Sequence, residues 1–207
     1  MSIGTDIDAL MRMAPVIPVL VIDDVDYAIP IAQALVAGGL PVLEVTLRTA
    51  CAIDAILAMK TVPGAIVGAG TVLNPADLDK ALAAGSEFIV SPGLTPALGA
   101  AAVASGVPFL PGTANAADIM LGLDLGLTRF KFFPAEASGG IAALQAIAAP
   151  FGMVRFCPTG GITLATAPDW LALPAVLCVG GSWMVPKGSP DIAAIIAFAR
   201  AAAALHG

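Results

Sequence analysis

Two charged residues sit where charge is expensive. Lys131 occupies the middle of RFKFF (129–133) and Glu44 the middle of VLEVT (42–46), both otherwise largely apolar runs. Charged residues make up only 12% of the chain, and a charge buried in an apolar strand is costly unless it has a partner or a task. Alternate side chains of a strand share a face, which sets Arg129, Lys131 and Phe133 together and opposite Phe130 and Phe132. An ammonium aimed into apolar surroundings has its charged form disfavoured. The neutral amine is the nucleophile that adds to a ketone to form an imine. A buried carboxylate can take and return a proton near neutral pH. The two types together suit covalent carbonyl chemistry served by a proton shuttle. A plainer reading stays open for each: Lys131 reaching solvent or pairing with Glu136, and Glu44 as an ion-pair partner of Arg48 or of Lys131 itself.

A second kind of chemistry is written in glycine. TGGI (159–162) and VGGSW (179–183) each place a Gly-Gly pair directly after an apolar run. Such turns let backbone N–H groups converge on an oxyanion, a phosphate above all. Neither turn contains a lysine or arginine, so recognition there is expected to rest on backbone geometry more than on ion pairing. Nothing resembles a metal-ligand cluster, a dinucleotide fingerprint or a Walker loop. His206 lies one residue from the C-terminus and is expected to have no catalytic role. Trp170 and Trp183 read as packing residues. Cys51, Cys157 and Cys178 are too few and too scattered for a disulfide framework or a zinc site, and fit small core residues in a reducing compartment.

These residues need a scaffold, and composition narrows its class. The chain has 207 residues, 58% of them hydrophobic, and its mean hydropathy is +0.95. Its longest uncharged stretch, 88–117, could span a bilayer by length but is broken by Pro92, Pro96, Pro108 and Pro111 and by four glycines. So many breakers would leave backbone groups unpaired in lipid, so the stretch reads as several short buried elements. The start has early acids and no cationic region followed by an apolar core, so no signal peptide is expected. A net charge of −6 without a basic cluster argues against nucleic acid as the partner.

Short β-branched runs alternate with Ala- and Leu-rich helical stretches. Strands are expected at 16–22, 42–47, 65–69, 87–90, 107–110, 129–133, 153–157 and 175–179. Helices are expected at 27–37, 51–60, 75–84, 95–105, 116–123, 140–148 and 190–205, with a short turn near 164–167. The strand starts recur every roughly 20 to 25 residues, the length of one strand–loop–helix unit. Strands apolar on both faces belong to a parallel sheet covered by helices. Eight units predict an α/β fold, a (β/α)8 TIM barrel with a short N-terminal helix, as one domain over 1–207. Periodicity leaves an open doubly wound sheet as the alternative. In such a barrel the site forms at the C-terminal strand ends, where Arg48, Thr71, SPG (91–93), PGTAN (111–115) and both glycine turns fall.

The segments VLEVTLRT (42–49), IVGAGTVLNP (66–75), FIVSPGLT (88–95), FKFFPAEASGG (130–140), VRFCPTGGI (154–162) and LCVGGSWMVP (177–186) resemble the 2-keto-3-deoxy-6-phosphogluconate (KDPG) aldolase family. The resemblance runs in order from about Pro15 onward and is weakest over 111–120. It implies a class I aldolase, without cofactor or metal, that cleaves 2-dehydro-3-deoxy-6-phosphogluconate to pyruvate and glyceraldehyde 3-phosphate. By the same resemblance Lys131 forms the imine and Glu44 shuttles protons. Arg48 and Thr71 contact the pyruvate carboxylate, while Pro92 and Phe133 shape its pocket. Thr159 bears on stereochemistry at C4, and Gly160, Gly161, Gly181 and Ser182 bind phosphate. A cytoplasmic homotrimer is implied as well.

Three rivals remain. A sister aldolase would act on the 6-phosphogalactonate epimer or on 4-hydroxy-2-oxoglutarate. A barrel epimerase or isomerase would use acid–base residues without a covalent adduct on Lys131. A non-catalytic sugar-phosphate binder would have no use for both Lys131 and Glu44.

Overall fold

The computed structural model describes residues 6–205, so His206 lies outside the described residues. The chain alternates helix and strand almost throughout. The strands are β1 (Val16–Leu20), β2 (Val42–Thr46), β3 (Ile66–Gly70), β4 (Ile89–Val90), β5 (Phe109–Leu110), β6 (Gly112–Thr113), β7 (Arg129–Phe132), β8 (Arg155–Pro158) and β9 (Val179–Gly181). The helices are α1 (Ile7–Arg12), α2 (Ala28–Ala37), α3 (Ala52–Met59), α4 (Pro75–Ala83), α5 (Pro96–Ser105), α6 (Ala116–Asp124), α7 (Gly140–Ala148), α8 (Ala167–Leu171) and α9 (Ile192–Ala203). Side-chain caps open several of them: Asn74, Thr95, Asn115 and Asp191 each accept a hydrogen bond from a backbone N–H in the first turn. Among the described residues no helix is long and apolar enough to cross a membrane.

All named strand pairings are parallel, as strands apolar on both faces require. The parallel α/β architecture expected from the sequence is present, but its strands pair as two sheets and not as one continuous ring of eight. The ladder divides into a six-stranded sheet, β5-β4-β3-β2-β1-β9, and a three-stranded sheet, β6-β7-β8. One seam falls at Pro111, which separates β5 from β6 and has no N–H to give a ladder. At the other seam only the isolated bridges Phe156↔Val176 and Thr159↔Gly180 join β8 to the β9 segment. The short turn expected near 164–167 is present over 164–166, and what the sequence did not suggest is what comes after it. A helix follows at Ala167–Leu171, with Pro168 in its first turn, where the missing N–H costs nothing.

Each strand faces two cores. Leu43 and Val45 of β2, with Phe130 and Phe132 of β7, pack into the larger cluster under the helices. The opposite faces supply Ile17, Val42, Val90, Leu110, Cys157 and Cys178, which close on Leu10 and Met11 of α1. Helix α1 is therefore a plug at the N-terminal strand ends. Asp6 caps it, accepting from Ala9 N–H at 2.7 Å. Asp8 fastens it, accepting from Arg12 at 2.7 Å and from Arg129 of β7 at 2.5 Å. The Arg12 and Arg129 guanidiniums hold the Asp8 carboxyl below the usual aspartate range. The inner face is thus filled from below, leaving its upper half for chemistry.

Candidate active site

Strand β7 alternates as its sequence demands. Phe130 tilts against Phe156 and Phe132 against Trp170, both on the helix side with ring centroids 6.3 Å apart. Lys131 turns the other way, flanked in register by Gly112 and Cys157. Its Nζ lies 3.0 Å from Glu44 Oε1 and 3.4 Å from Oε2. The two side chains are 7% and 4% exposed, so each charge has little but the other to offset its lost hydration. Among the described residues Arg48 makes no ion pair with Glu44. The Phe133 ring lies 5.3 Å from Lys131 Nζ, with its face to the ammonium. The structural reading of Glu44 and the chemical one thus rest on the same bond.

Room for that bond comes from Gly70, which the sequence reading did not single out, and two other inward glycines make similar room elsewhere in the interior. A Cβ on Gly70 of β3 would stand 2.6 Å from Glu44 Cγ and 2.8 Å from Cδ. One on Gly180 would stand 2.9 Å from Thr159 Cγ2, and one on Gly112 would meet the backbone at Pro92 and Gly93. Gly70, Gly112 and Gly180 share the strand phase of the inward residues, and that phase was the available signal. Thr71, next in the chain, has φ 58° and is the only non-glycine at positive φ among the described residues. A β-branched residue there is strained, as residues at functional sites often are.

A cleft of about 470 Å³ opens at the C-terminal strand ends; Lys131 and Glu44 do not line it, and Phe133, whose ring meets Lys131, joins it to the pair. Arg48, Phe133, Thr159, Gly160, Gly161 and Ser182 all line it, as expected from the sequence. Gly160 (φ 106°) and Gly161 (φ 84°) form the turn after β8. Ala135 N–H donates to Thr159 O at 2.8 Å and Glu136 N–H to Gly160 O at 3.1 Å, tying that turn to the segment after β7. Glu136 does not meet Lys131. Its Oε1 instead accepts from the buried Trp170 indole at 3.1 Å.

Not every predicted residue joins this cleft. Thr71, Pro92 and Gly181 do not line it. A Cβ on Gly181 would collide with the Trp183 ring, which gives that glycine a packing reason. Two charged lining residues were missed, Asp23 and Lys187. Lys187 follows Ser182 by five residues, so reading each glycine turn alone left it out. Neither glycine turn contains a cation, but Arg48 and Lys187 line the same cleft. A larger groove, about 700 Å³, is lined by Arg12, Arg155 and Pro174 at the opposite end, and it lacks Phe133, the ring through which the cleft meets Lys131. Chemistry, not volume, selects the cleft.

Among the described residues no group of three or more His, Cys, Asp and Glu is placed to hold a metal ion. Cys157 and Cys178 are buried free thiols, and the Cys157 contact and burial push the Cys178 thiol well up. That keeps it protonated and unreactive.

Comparison with known proteins bears on this arrangement. The family described as "KDPG and KHG aldolase" matches residues 7–198. The 2-dehydro-3-deoxy-phosphogluconate aldolase of Zymomonas mobilis is 66% identical over 199 residues, 96% of each chain. The crystal structure of the Zymomonas mobilis 2-keto-3-deoxy-6-phosphogluconate aldolase with 3-phosphoglycerate has a TM-score of 0.96 at 65% identity, covering 98% of this chain and 97% of that one. The KDPG aldolase of Legionella pneumophila, with pyruvate captured at low pH as a covalent carbinolamine, has a TM-score of 0.93 at 45% identity, covering 97% and 99%.

Proposed function

The chain belongs to the KDPG and KHG aldolase family, and we propose that it cleaves 2-dehydro-3-deoxy-6-phosphogluconate to pyruvate and glyceraldehyde 3-phosphate through an imine on Lys131. The observation that carries the reading is the buried 3.0 Å contact between Lys131 Nζ and Glu44 Oε1. A proton passed along it leaves the amine lone pair free and the carboxyl loaded. Lys131 adds to the C2 ketone, and loss of water from the carbinolamine gives a protonated imine. Glu44, now unprotonated, takes the C4 hydroxyl proton. The C3–C4 bond breaks, its electrons flow into the imine, and glyceraldehyde 3-phosphate leaves. The enamine is protonated at C3, and hydrolysis releases pyruvate and restores Lys131. The imine is the electron sink, so the reaction as written has no step for a metal.

The carbinolamine in the Legionella pneumophila enzyme supports the covalent step, and the phosphorylated ligand in the Zymomonas mobilis enzyme supports a phosphorylated substrate. In this reading Arg48 and Thr71 hold the pyruvate carboxylate, Pro92 and Phe133 bound its pocket, and Thr159 faces C4. Gly160, Gly161, Gly181 and Ser182 receive the phosphate. The same reading joins the two sheets into one (β/α)8 barrel, a single domain over 1–207, supported by the bridges at β8–β9 and the continuity of β5 and β6 across Pro111. A cytoplasmic homotrimer belongs to it by family resemblance, to be checked by light scattering.

Borohydride reduction with pyruvate tests the proposal. A reduced adduct should map to Lys131 by peptide mass, and Lys131→Ala should lose both adduct and cleavage. An adduct on Lys60 or Lys80 would refute the assignment, and no adduct at all would return the epimerase reading.

A further inference from the structure

We infer that Lys187 is a specificity-determining residue for the phosphate end of the substrate, supplying the positive charge that the two glycine turns lack. The inference rests on the proposed cleavage of a phosphorylated keto acid. Four of the nine cationic residues, Arg12, Lys80, Arg129 and Lys131, are held in ion pairs among the described residues. Lys60 and Arg155 donate to backbone carbonyls. Of the other three, Arg200 is exposed on α9, while Arg48 and Lys187 do neither and both line the cleft beside Gly160, Gly161 and Ser182. Unengaged cations gathered at one concave site in a chain of net charge −6 are placed for an anion that arrives with the substrate.

The two cations divide by position. Arg48 lies two residues beyond the end of β2, the strand that carries Glu44, and so serves the keto-acid end. Lys187 belongs to the segment between β9 and α9, directly after the Ser182 turn, and so serves the phosphate end. That segment is pinned two residues further on, where Ser189 Oγ and Tyr27 Oη lie 3.2 Å apart. The pin keeps Lys187 at the cleft while its side chain stays exposed and hydrated. Asp23 lines the same cleft and opposes an incoming dianion. Backbone amides alone would have to overcome that repulsion. A lysine, a flexible point charge, offsets it without demanding the planar geometry of an arginine.

The test is kcat/KM for the phosphorylated keto acid and its dephosphorylated counterpart, on wild type, Lys187→Met and Lys187→Arg. For Lys187→Met we expect a loss of about 10- to 100-fold with phosphorylated substrate, carried by KM, and a far smaller change without phosphate. Lys187→Arg should recover most of the loss. Inorganic phosphate should compete with substrate in wild type and more weakly in Lys187→Met, while the melting temperature holds. A phosphate preference that survives Lys187→Met intact would overturn the inference and leave the aldolase reading standing. A wild type with no preference would overturn the phosphorylated-substrate reading and the inference with it.

Discussion

Gly70→Ala adds one carbon to β3 and tests whether the position of the Glu44 carboxylate matters. The new Cβ would lie 2.6 Å from Glu44 Cγ and 2.8 Å from Cδ, with Oε1 closer still. Carbon contacts relax near 3.5 Å, so the carboxyl group must retreat by about 1 Å. Starting from 3.0 Å, the Lys131 Nζ–Oε1 distance then approaches 4 Å, beyond hydrogen-bond range. Misplacement on that scale in a reacting group costs about 10²-fold in rate, here expected in kcat for pyruvate release. Overpacking should cost stability by about 1–3 kcal/mol, which a thermal melt would register without loss of the fold. Lys131 is untouched, so borohydride should still trap pyruvate on it at equilibrium. Gly152→Ala is the matched control, because a Cβ there meets nothing within 4 Å. A folded Gly70→Ala enzyme with kcat within about threefold of wild type would refute the claim that this geometry performs the proton transfer.

Glu44→Gln keeps the shape of the site and removes the proton acceptor; cleavage should slow by about 10²–10⁴-fold while the adduct with pyruvate still forms. Near-normal turnover would return Glu44 to a structural role. Asp8→Asn tests the plug helix. Because Arg12 and Arg129 lower the folded pKa of Asp8, its stabilisation is full above the unfolded value near 4 and lost as pH falls through the folded value. Wild type should therefore exceed Asp8→Asn at pH 7, by at most about 1 kcal/mol, and the two should converge in acid. Parallel denaturation curves from pH 7 to pH 2 would contradict this.

Much of the architecture was legible because local pattern and tertiary fate agree. The apolar runs at 42–47 and 129–133 became β2 and β7, and strands buried on both faces pair in parallel. Boundaries failed where one residue overrode the pattern. The strand expected to stop at 110 resumes past Pro111 as β6, and a short helix with Pro168 in its first turn follows the expected turn. Strand eight was placed early, at 175–179, because its apolar residues precede the glycines Gly180 and Gly181 that carry the pairing.

The site divides along another line. Lys131 and Glu44 were each visible as misplaced charges, since that signal lies within a single strand. Their union was one of the pairings open from the sequence but was not selected by it, because 87 residues separate them and Glu136 and Arg48 offered nearer partners. Knowing the phase of two strands does not give the height at which they face each other across the interior. Lys131 opposes Cys157, Glu44 opposes Gly68, and Gly70 lies one inward step above Gly68. The carboxylate leans along that step into the space Gly70 leaves, so a glycine on a third strand fixes the contact between two others. A glycine carries no chemical signature, and only its inward phase marks it. Strand by strand, that phase makes every inward glycine level with or above a buried charge a candidate for holding the charge in place.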